Sequence, residues 1–205
     1  MPRPLPIVLS TFLGLAAAGS AAAQACIGLP SRDGQIAATA AYTLSDDHDA
    51  LGGEFTVDAT GPMSFGFGYS RDVGTDELMG GGDRHVTTFD ARAAYELYLV
   101  DPSICAVGGV WYQDSAVEQL GVPIGFGFGK TLTGRAVSTT IYAVPQYVWL
   151  RESPGGDLDD RTSNEFMARA GVTFGLQQLL FGGDVTVTTF GADDPRFALR
   201  AGFLF

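Results

Sequence analysis

The chain has 205 residues, of which 46% are hydrophobic, and its formal net charge is −11 at pH 7. An acidic balance argues against nucleic acid as a partner, and the length suits one domain. The chain also has 28 glycines and 14 phenylalanines, and beyond the N-terminal leader no stretch has the ~18 uninterrupted apolar residues of a membrane helix.

The N-terminal segment predicts a secretory signal peptide over residues 1–23. Arg3 is followed by an apolar run from Ile7 to Ala18 and by small residues up to Ala23. A charged start, a short apolar core and an Ala-x-Ala site are typical of a cleaved leader, and the core is too short to span a bilayer comfortably. We expect cleavage after Ala23, a periplasmic segment over 24–33 and one domain over 34–205. Lipidation of Cys26 is the less favoured alternative, because Ala stands where a lipobox has a large aliphatic residue.

Alternation of apolar and polar residues predicts ten strands after the leader. They cover residues 35–44, 51–59, 63–70, 86–99, 105–112, 122–130, 136–149, 165–174, 184–189 and 197–205. The fifth strand has the weakest alternation, because both of its faces are apolar. Its uncertain status leaves a barrel of eight strands as the alternative. Pro145 predicts a bulge or edge distortion in the seventh strand. The apolar stretch 177–183 is either a connection or an extension of its neighbouring strands.

The connections alternate in character along the chain. Long polar loops over 71–84 and 151–164 follow the third and seventh strands, whereas short turns follow the second, fourth and sixth. Bacterial outer-membrane barrels place short turns in the periplasm and longer loops outside. The third and sixth strands also share a Phe-Gly-Phe-Gly pattern, at 65–68 and 126–129. We expect its phenylalanines to face lipid and its glycines to leave room inside a narrow barrel.

The last strand carries the strongest signal for a membrane barrel. Every second residue is apolar, and the chain stops on an aromatic, as seen in Phe197, Leu199, Ala201, Phe203 and Phe205. In a soluble protein such a strand would promote aggregation, whereas in a barrel lipid covers the face and neighbouring strands cover the edges. The pattern predicts an all-β fold, a single antiparallel up-and-down transmembrane β-barrel.

The opposite strand faces direct charges of both signs to the inside of this barrel. They are Glu54, Asp58, Asp90, Arg92, Glu96, Glu165, Arg169, Asp184 and Arg200. Ten strands enclose a lumen little wider than side chains can fill. We expect these charges to pair in a salt-bridged, partly plugged core. The alternative is a selectivity lining for a narrow pore.

Both cysteines, Cys26 and Cys105, fall on the periplasmic side of the predicted topology. An exported chain meets oxidising conditions, so we expect a disulfide that pins residues 24–33 across the lower mouth of the barrel. A bridge that closes a long loop stabilises by about 4 kcal/mol in the chain-entropy model. Two unpaired thiols are the alternative.

Acidic and histidine residues in the outer loops give little support for chemistry. Solvated loops at the lipopolysaccharide surface are the favoured interpretation, because no calcium-loop spacing is present, and a divalent cation held where carboxylates gather is the alternative. These carboxylates and their imidazole neighbour are Asp46, Asp47, His48, Asp49, Asp157, Asp159 and Asp160. His48 and His85 are the two histidines, and the spacing places no nucleophile and orienting acid around either. We predict no enzyme activity, no cofactor and no metal site.

Aromatic residues near the strand ends are typical of membrane-interface girdles. Those toward the outer ends are Tyr42, Tyr69, Trp111, Tyr112, Tyr147 and Trp149, and those toward the periplasmic ends are Tyr95 and Phe205.

With its leader, its alternating strands and its terminal Phe203-Leu204-Phe205, the chain resembles the small outer-membrane β-barrel proteins of Gram-negative bacteria. The resemblance covers the whole mature region as a pattern, and no motif selects a subfamily. It implies an outer-membrane location, contact with membrane lipid and lipopolysaccharide, and recognition of the terminal strand by the barrel-assembly machinery. The recognised positions would be Phe197, Leu199, Ala201, Phe203 and Phe205. A structural or surface-interaction role is the favoured function. A narrow channel for ions or small solutes is the alternative, followed by a lipid- or peptide-hydrolysing barrel. The oligomeric state stays open.

Overall fold

The computed structural model of the protein describes residues 22–30, 35–45, 49–58, 62–73, 86–98, 102–154, 159–189 and 195–205. Within these ranges the chain forms one short helix, α1, and ten strands. Their bounds are α1 Ala22–Ala25, β1 Ile36–Leu44, β2 Ala50–Asp58, β3 Met63–Asp72, β4 Thr87–Tyr98, β5 Ser103–Asp114, β6 Glu118–Thr133, β7 Val137–Ser153, β8 Arg161–Leu176, β9 Leu179–Thr188 and β10 Arg196–Leu204. No helix in this part of the chain is long and apolar enough to cross a membrane.

The ten strands close into a barrel. Each strand pairs antiparallel with its neighbours in sequence, and β1 pairs with β10. This seam runs from Ala37 opposite Leu204 to Leu44 opposite Phe197, and the Phe205 amide donates a hydrogen bond of 2.8 Å to the carbonyl of Ile36. The prediction of one antiparallel up-and-down barrel with ten strands is confirmed, and the alternative of eight strands is wrong.

The two ends of the barrel differ in their connections. We call the end that carries the β2–β3, β4–β5, β6–β7 and β8–β9 connections, together with Phe205, the turn end, and the opposite one the loop end. The wall is not equally tall all round, since β6, β7 and β8 have 16, 17 and 16 residues, whereas β1, β2 and β10 have 9 each.

Side chains alternate across the wall as the sequence pattern predicts. On the outer face Phe67, Ile124 and Leu199 are 55%, 60% and 62% exposed. On the inner face Thr56, Thr140 and Thr173 are buried. Apolar residues therefore face outward and polar residues inward, which is the reverse of a soluble protein and the arrangement of a lipid-embedded barrel.

Pro145 causes no bulge, so that half of the prediction is wrong, but the pairing of β7 with β6 is interrupted at Pro145 and Val144. Gly125 pairs with Gln146 and Phe128 pairs with Ala143, which keeps one register on both sides of the proline. The proline removes a donor but leaves the alternation of β7 intact, because Gln146 still faces inward and Tyr147 outward. A shift of register occurs instead at the turn end of β4, between Glu96 and Tyr98.

Several strands are longer than predicted. The predicted loop over 151–164 is shorter than expected, since β7 continues to Ser153 and β8 begins at Arg161. The polar residues at the ends of this stretch belong to extensions of β7 and β8 that pair with each other, such as Arg151 opposite Thr162. Between Leu176 and Leu179 the connection is a tight turn with Gln177 at a φ of 54°. The apolar stretch 177–183 thus extends β9, as the second interpretation of it proposed.

The predicted leader falls outside the described residues up to position 21. Ala22 and Ala23 belong to α1, so cleavage after Ala23 would remove the first half of that helix. The cleavage site stays a prediction.

Candidate functional site: the barrel lumen

Residues 22–30, which we call the plug, lie inside the turn-end half of the barrel. Every residue from 23 to 30 is buried. The apolar side chains of the plug pack in one cluster with inward-facing wall residues, and this cluster comprises Ala23, Cys26, Ile27, Leu29, Ala37, Ala94, Cys105, Val107, Tyr142, Val144, Leu180 and Leu204. The segment was predicted to cross the lower mouth. It enters the lumen instead, because the inner faces of β5 and β7 offer an apolar surface that water would otherwise cover.

A disulfide between Cys26 and Cys105 ties the plug to β5. Their Cα atoms are 6.2 Å apart, and 79 positions separate them in the sequence. The predicted bridge is therefore present. It also explains the fifth strand, whose inner face is apolar because Cys105 and Val107 contact the plug.

Inward-facing glycines make space for the plug backbone. A Cβ atom on Gly129 would lie 2.2 Å from the carbonyl carbon of Ala25, and one on Gly127 would lie 2.8 Å from the Cβ of Cys26. In the related pattern of β3, a Cβ on Gly68 would instead meet the Asp90 carboxylate. The glycines of both patterns leave room inside the barrel as predicted, but for different occupants.

Hydrogen bonds also connect the plug to the rest of the chain. The Thr173 hydroxyl donates to the carbonyl of Gly28 at 2.6 Å, and the Gln24 side-chain amide donates to the carbonyl of Gln35 at 3.5 Å. Gly28 itself has a φ of +85°, and a Cβ there would lie 2.4 Å from the Tyr142 ring. This position therefore requires glycine for both its backbone angle and its packing.

Above the plug, five of the nine predicted lumen charges form one chain of ion pairs. Glu54 pairs with Arg92 and, at 3.5 Å, with Arg200. Asp184 pairs with Arg200 at 2.7 Å and with Arg169 at 2.9 Å. These side chains come from β2, β4, β8, β9 and β10, so the network spans the lumen and restrains strands that are far apart in the sequence.

The other four predicted charges do not join this network. Asp90 faces inward on β4 and lines the cavity described below. Asp58 and Glu96 are buried at the turn end, where Ser64 donates to Asp58 at 3.3 Å. Glu165 lies at the loop end and accepts a hydrogen bond of 2.8 Å from Thr189. The predicted cluster is therefore divided between the central network with the nearby Asp90, the turn end and the loop end.

A cavity of about 480 Å³ occupies the loop-end half of the lumen. Ile27 of the plug and Tyr142 form part of its floor, together with the ion-pair network. Its wall carries charged, amide, hydroxyl and aromatic groups, among them Arg92, Trp111, Gln113, Gln146, Arg169 and Thr186. The volume lies within the range of small-molecule sites.

Trp111 was predicted to belong to the outer aromatic girdle, and this prediction is wrong. Trp111 lines the cavity, and a Cβ on Gly121 would lie 2.2 Å from Cε2 of its ring. Trp111 shares the odd-numbered face of β5 with Cys105 and Val107, so the neighbouring Tyr112, rather than Trp111, points outward. Tyr42, Tyr69, Tyr147 and Trp149 are exposed on the outer face near the loop end, and Phe205 is exposed at the turn end.

The loop end shows no chemistry of its own in the described ranges. There, no three His, Cys, Asp or Glu side chains are placed to hold a metal ion. Arg151 donates to Asp160 from its Nε at 3.1 Å, and this contact, with a further hydrogen bond from Ser153, holds the pKa of Asp160 below its usual value. Asp49 accepts a hydrogen bond of 2.6 Å from Tyr42. Asp46, Asp47, His48, His85 and Asp157 lie outside the described residues.

Comparison with known proteins gives structural neighbours but no assigned family. No protein-family model and no curated protein matches the chain. The N-terminal β-barrel domain of OprF from Pseudomonas aeruginosa matches 84% of this chain and 98% of its own length, with 11% identity and a TM-score of 0.39. KdgM porin matches 82% and 98%, with 6% identity and a TM-score of 0.43.

A further neighbour is Ail, the attachment invasion locus protein of Yersinia pestis, in complex with the heparin analogue sucrose octasulfate. It matches 84% of this chain and 99% of its own length, with 12% identity and a TM-score of 0.32. The three neighbours are outer-membrane β-barrel proteins, the class that the sequence resembles. At these identities the similarity concerns the barrel alone and selects no ligand or activity.

Proposed function

We propose that the protein is an outer-membrane β-barrel with a structural or surface-interaction role, whose lumen is closed by its own plug. The observation that carries the proposal is the position of residues 22–30, which are buried inside the barrel and covalently attached to β5. A barrel of this width has little room beside such a segment. The proposal includes no catalytic step and no cofactor.

The outer face supports the membrane location. Large apolar side chains remain exposed on all sides of the barrel, including Phe55, Phe89, Ile141, Phe166 and Phe203. A surface of this kind is covered by lipid or aggregates. We therefore expect the purified chain to need detergent. A compact monomer that dissolves without detergent would contradict the membrane location.

The proposed partners follow from this location. They are membrane lipid and lipopolysaccharide around the wall and, during biogenesis, the barrel-assembly machinery acting on Phe197, Leu199, Ala201, Phe203 and Phe205. Nucleic acid is not among them, given the net charge of −11. Replacing Phe205 and Phe203 with Ser should lower the yield of folded barrel in the outer membrane, while the same change at Phe67 should not affect recognition.

Single-channel recording in planar bilayers tests the closed lumen. We expect the wild-type protein to produce no steady conductance steps. Steady steps whose size or ion selectivity changes in R92Q or R200Q would instead establish the narrow channel. The matched control is R135Q, which removes an arginine from the exposed β6–β7 turn and should leave any steps unchanged.

The narrow channel is the second candidate, because a charged cavity of about 480 Å³ lies in the loop-end half of the lumen. Conduction would require the plug to leave or shift. The C26A/C105A double variant separates the two functions. If the double variant conducts and the wild type does not, the plug closes the pore. If neither conducts, the wall and the ion-pair network close the lumen even when the disulfide is absent.

A further inference from the structure

Glu96 is a buried carboxylate without a partner. It faces inward from β4 at the turn end and is 6% exposed. Neither of its side-chain oxygens has a hydrogen bond, and no ion pair in the described part of the chain includes it. An ionised carboxylate in such a place is costly unless a cation or several donors compensate it. Among the described residues no cation or donor compensates Glu96, so a positive group placed beside it would stabilise the ionised carboxylate.

The plug brings one specific backbone position close to this carboxylate. Cys105 stands directly opposite Glu96 across the β4–β5 ladder, and the Cys105 sulfur lies 4.0 Å from the carbonyl oxygen of Ala23. Helix α1 approaches β6 above all, and it also approaches β3, β4, β5 and β7. The peptide bond that joins Ala23 to Gln24 thus lies beside the part of the wall from which Glu96 projects.

A second contact limits where this peptide bond can be. The Gln24 side chain reaches the carbonyl of Gln35, and that carbonyl also accepts the backbone amide of Asp58 on β2 at 3.0 Å. Around the barrel, Glu96 on β4 lies between β2, to which the Gln24 side chain extends, and β5, to which Cys26 is bonded. These two anchors direct Gln24 toward the part of the wall formed by β2 to β5, which includes Glu96.

Removal of the leader changes the charge of this nitrogen. Hydrolysis of the Ala23–Gln24 bond by a signal peptidase consumes one water, leaves a carboxylate on the departing Ala23 and leaves an amine on Gln24 that takes up a proton. We propose that the α-ammonium group of Gln24, created by leader removal, binds the carboxylate of Glu96. The partner that Glu96 lacks is thus made by processing.

This ion pair would anchor the plug at a second point. Cys26 is fixed covalently to β5, and Gln24, two residues earlier, would be fixed ionically to β4. An unprocessed chain would keep a neutral peptide group at the same place and leave Glu96 uncompensated, so a seated plug would be more stable in the processed protein than in its precursor. The inference rests on the predicted cleavage site and does not depend on whether the barrel conducts.

The test measures the reactivity of the N-terminal amine. The protein is extracted from outer membranes in detergent, its folding is checked by heat-dependent gel migration, and intact mass spectrometry identifies the first residue. The rate of amine acetylation by acetic anhydride at neutral pH is then compared in the wild type, E96Q and E165Q. Acetylation needs the unprotonated amine, so we expect the wild type to react about tenfold more slowly than E96Q. E165Q, the same change near the loop end, should match the wild type.

A second readout does not need the variant to fold. An N-terminal glutamine cyclises when its unprotonated amine attacks its own side-chain amide and releases ammonia, which mass spectrometry detects. We expect the folded wild type to keep an open Gln24 for much longer than the same chain unfolded in urea. Three outcomes would overturn the proposal: a mature chain that begins at another residue, equal acetylation of E96Q and the wild type, or equal cyclisation in the folded and unfolded states.

Discussion

The two halves of the lumen are occupied in different ways. At the turn end, a segment of the chain itself packs against an apolar part of the wall and is held by a disulfide. At the loop end, arginines and carboxylates from five strands pair around a cavity of about 480 Å³. One half thus depends on packing and a covalent bond, whereas the other depends on electrostatics beside space that solvent can fill.

The two Phe-Gly-Phe-Gly strands show how one sequence pattern serves both halves. In β6, the plug backbone occupies the space that a side chain at Gly129 would fill. In β3, the side chain of Asp90 occupies the corresponding space at Gly68. Of the outward phenylalanines, Phe67, Phe126 and Phe128 are exposed and Phe65 is half-buried. The pattern therefore specifies a small inner residue and an apolar outer residue, and the neighbouring residues decide what fills the gap.

Removing the disulfide should produce the largest effect and should weaken only the turn-end half. The C26A/C105A variant loses a cross-link between residues 79 positions apart, so we expect its free energy of unfolding to fall by about 4 kcal/mol. Urea unfolding in detergent, followed by tryptophan fluorescence, measures the change. A variant that unfolds at the urea concentration of the wild type would show that the bridge does not stabilise the barrel.

Breaking the ion-pair network tests the loop-end half. E54Q leaves Arg92 and Arg200 without their shared carboxylate. We expect the free energy of unfolding to fall by about 3 kcal/mol. This is at the low end for breaking a buried ion pair, because the adjoining cavity admits water. The same urea experiment applies. E165Q removes a carboxylate outside the network and should cost much less, and equal losses in the two variants would contradict a special role for the network.

Exchanging the matched glycines compares the halves directly. G129A places a methyl group against the backbone of Ala25, which cannot move without shifting the plug, so we expect a loss of about 2 kcal/mol. G68A meets only the end of the Asp90 side chain, which can rotate away. We expect it to cost less than about 1 kcal/mol. If G68A is the more harmful change, the plug is not tightly packed against β6.

The smallest expected effect concerns one hydrogen bond to the plug. T173V removes the donor to the Gly28 carbonyl, and T140V removes a hydroxyl that instead bonds Thr131. Each change should cost about 1 kcal/mol. Only T173V should speed hydrogen exchange of the plug amides, measured by mass spectrometry of peptides covering residues 24–30. Equal acceleration in T140V would mean that the plug is not held by this bond in particular.

The wall of the barrel was predictable because lipid and lumen impose a period of two on every strand. Ten alternating segments, the Cys26–Cys105 pairing and the inward direction of the charges could all be inferred from this parity and from the cellular compartment. The extensions at 151–153 and 161–164 were missed because strands that reach beyond the apolar band are polar on both faces, as loops are.

The contents of the lumen were less predictable. The plug has no alternation, and its position depends on a surface made by β5 and β7, which are distant from it in the sequence. One signal was present, since the apolar inner face of β5, carrying Cys105 and Val107, needed something to cover it. Trp111 was assigned to the girdle because aromatic residues near strand ends usually lie there. Its odd-numbered position, shared with the inward-facing Cys105 and Val107, would have placed it on the inner face.

The seam between β1 and β10 has a consequence for biogenesis. It joins residues 37–44 to residues 197–204, so the cylinder cannot close until the last part of the chain has been made and has returned to the first. Pairing of segments so far apart is slow. The plug is tied to β5 by the disulfide and lies a few residues before β1, so we expect it to be in place when the two strands meet. We therefore expect a waiting period in which the two thiols are still accessible to oxidants, followed by a closure that wraps the sheet around its own first residues.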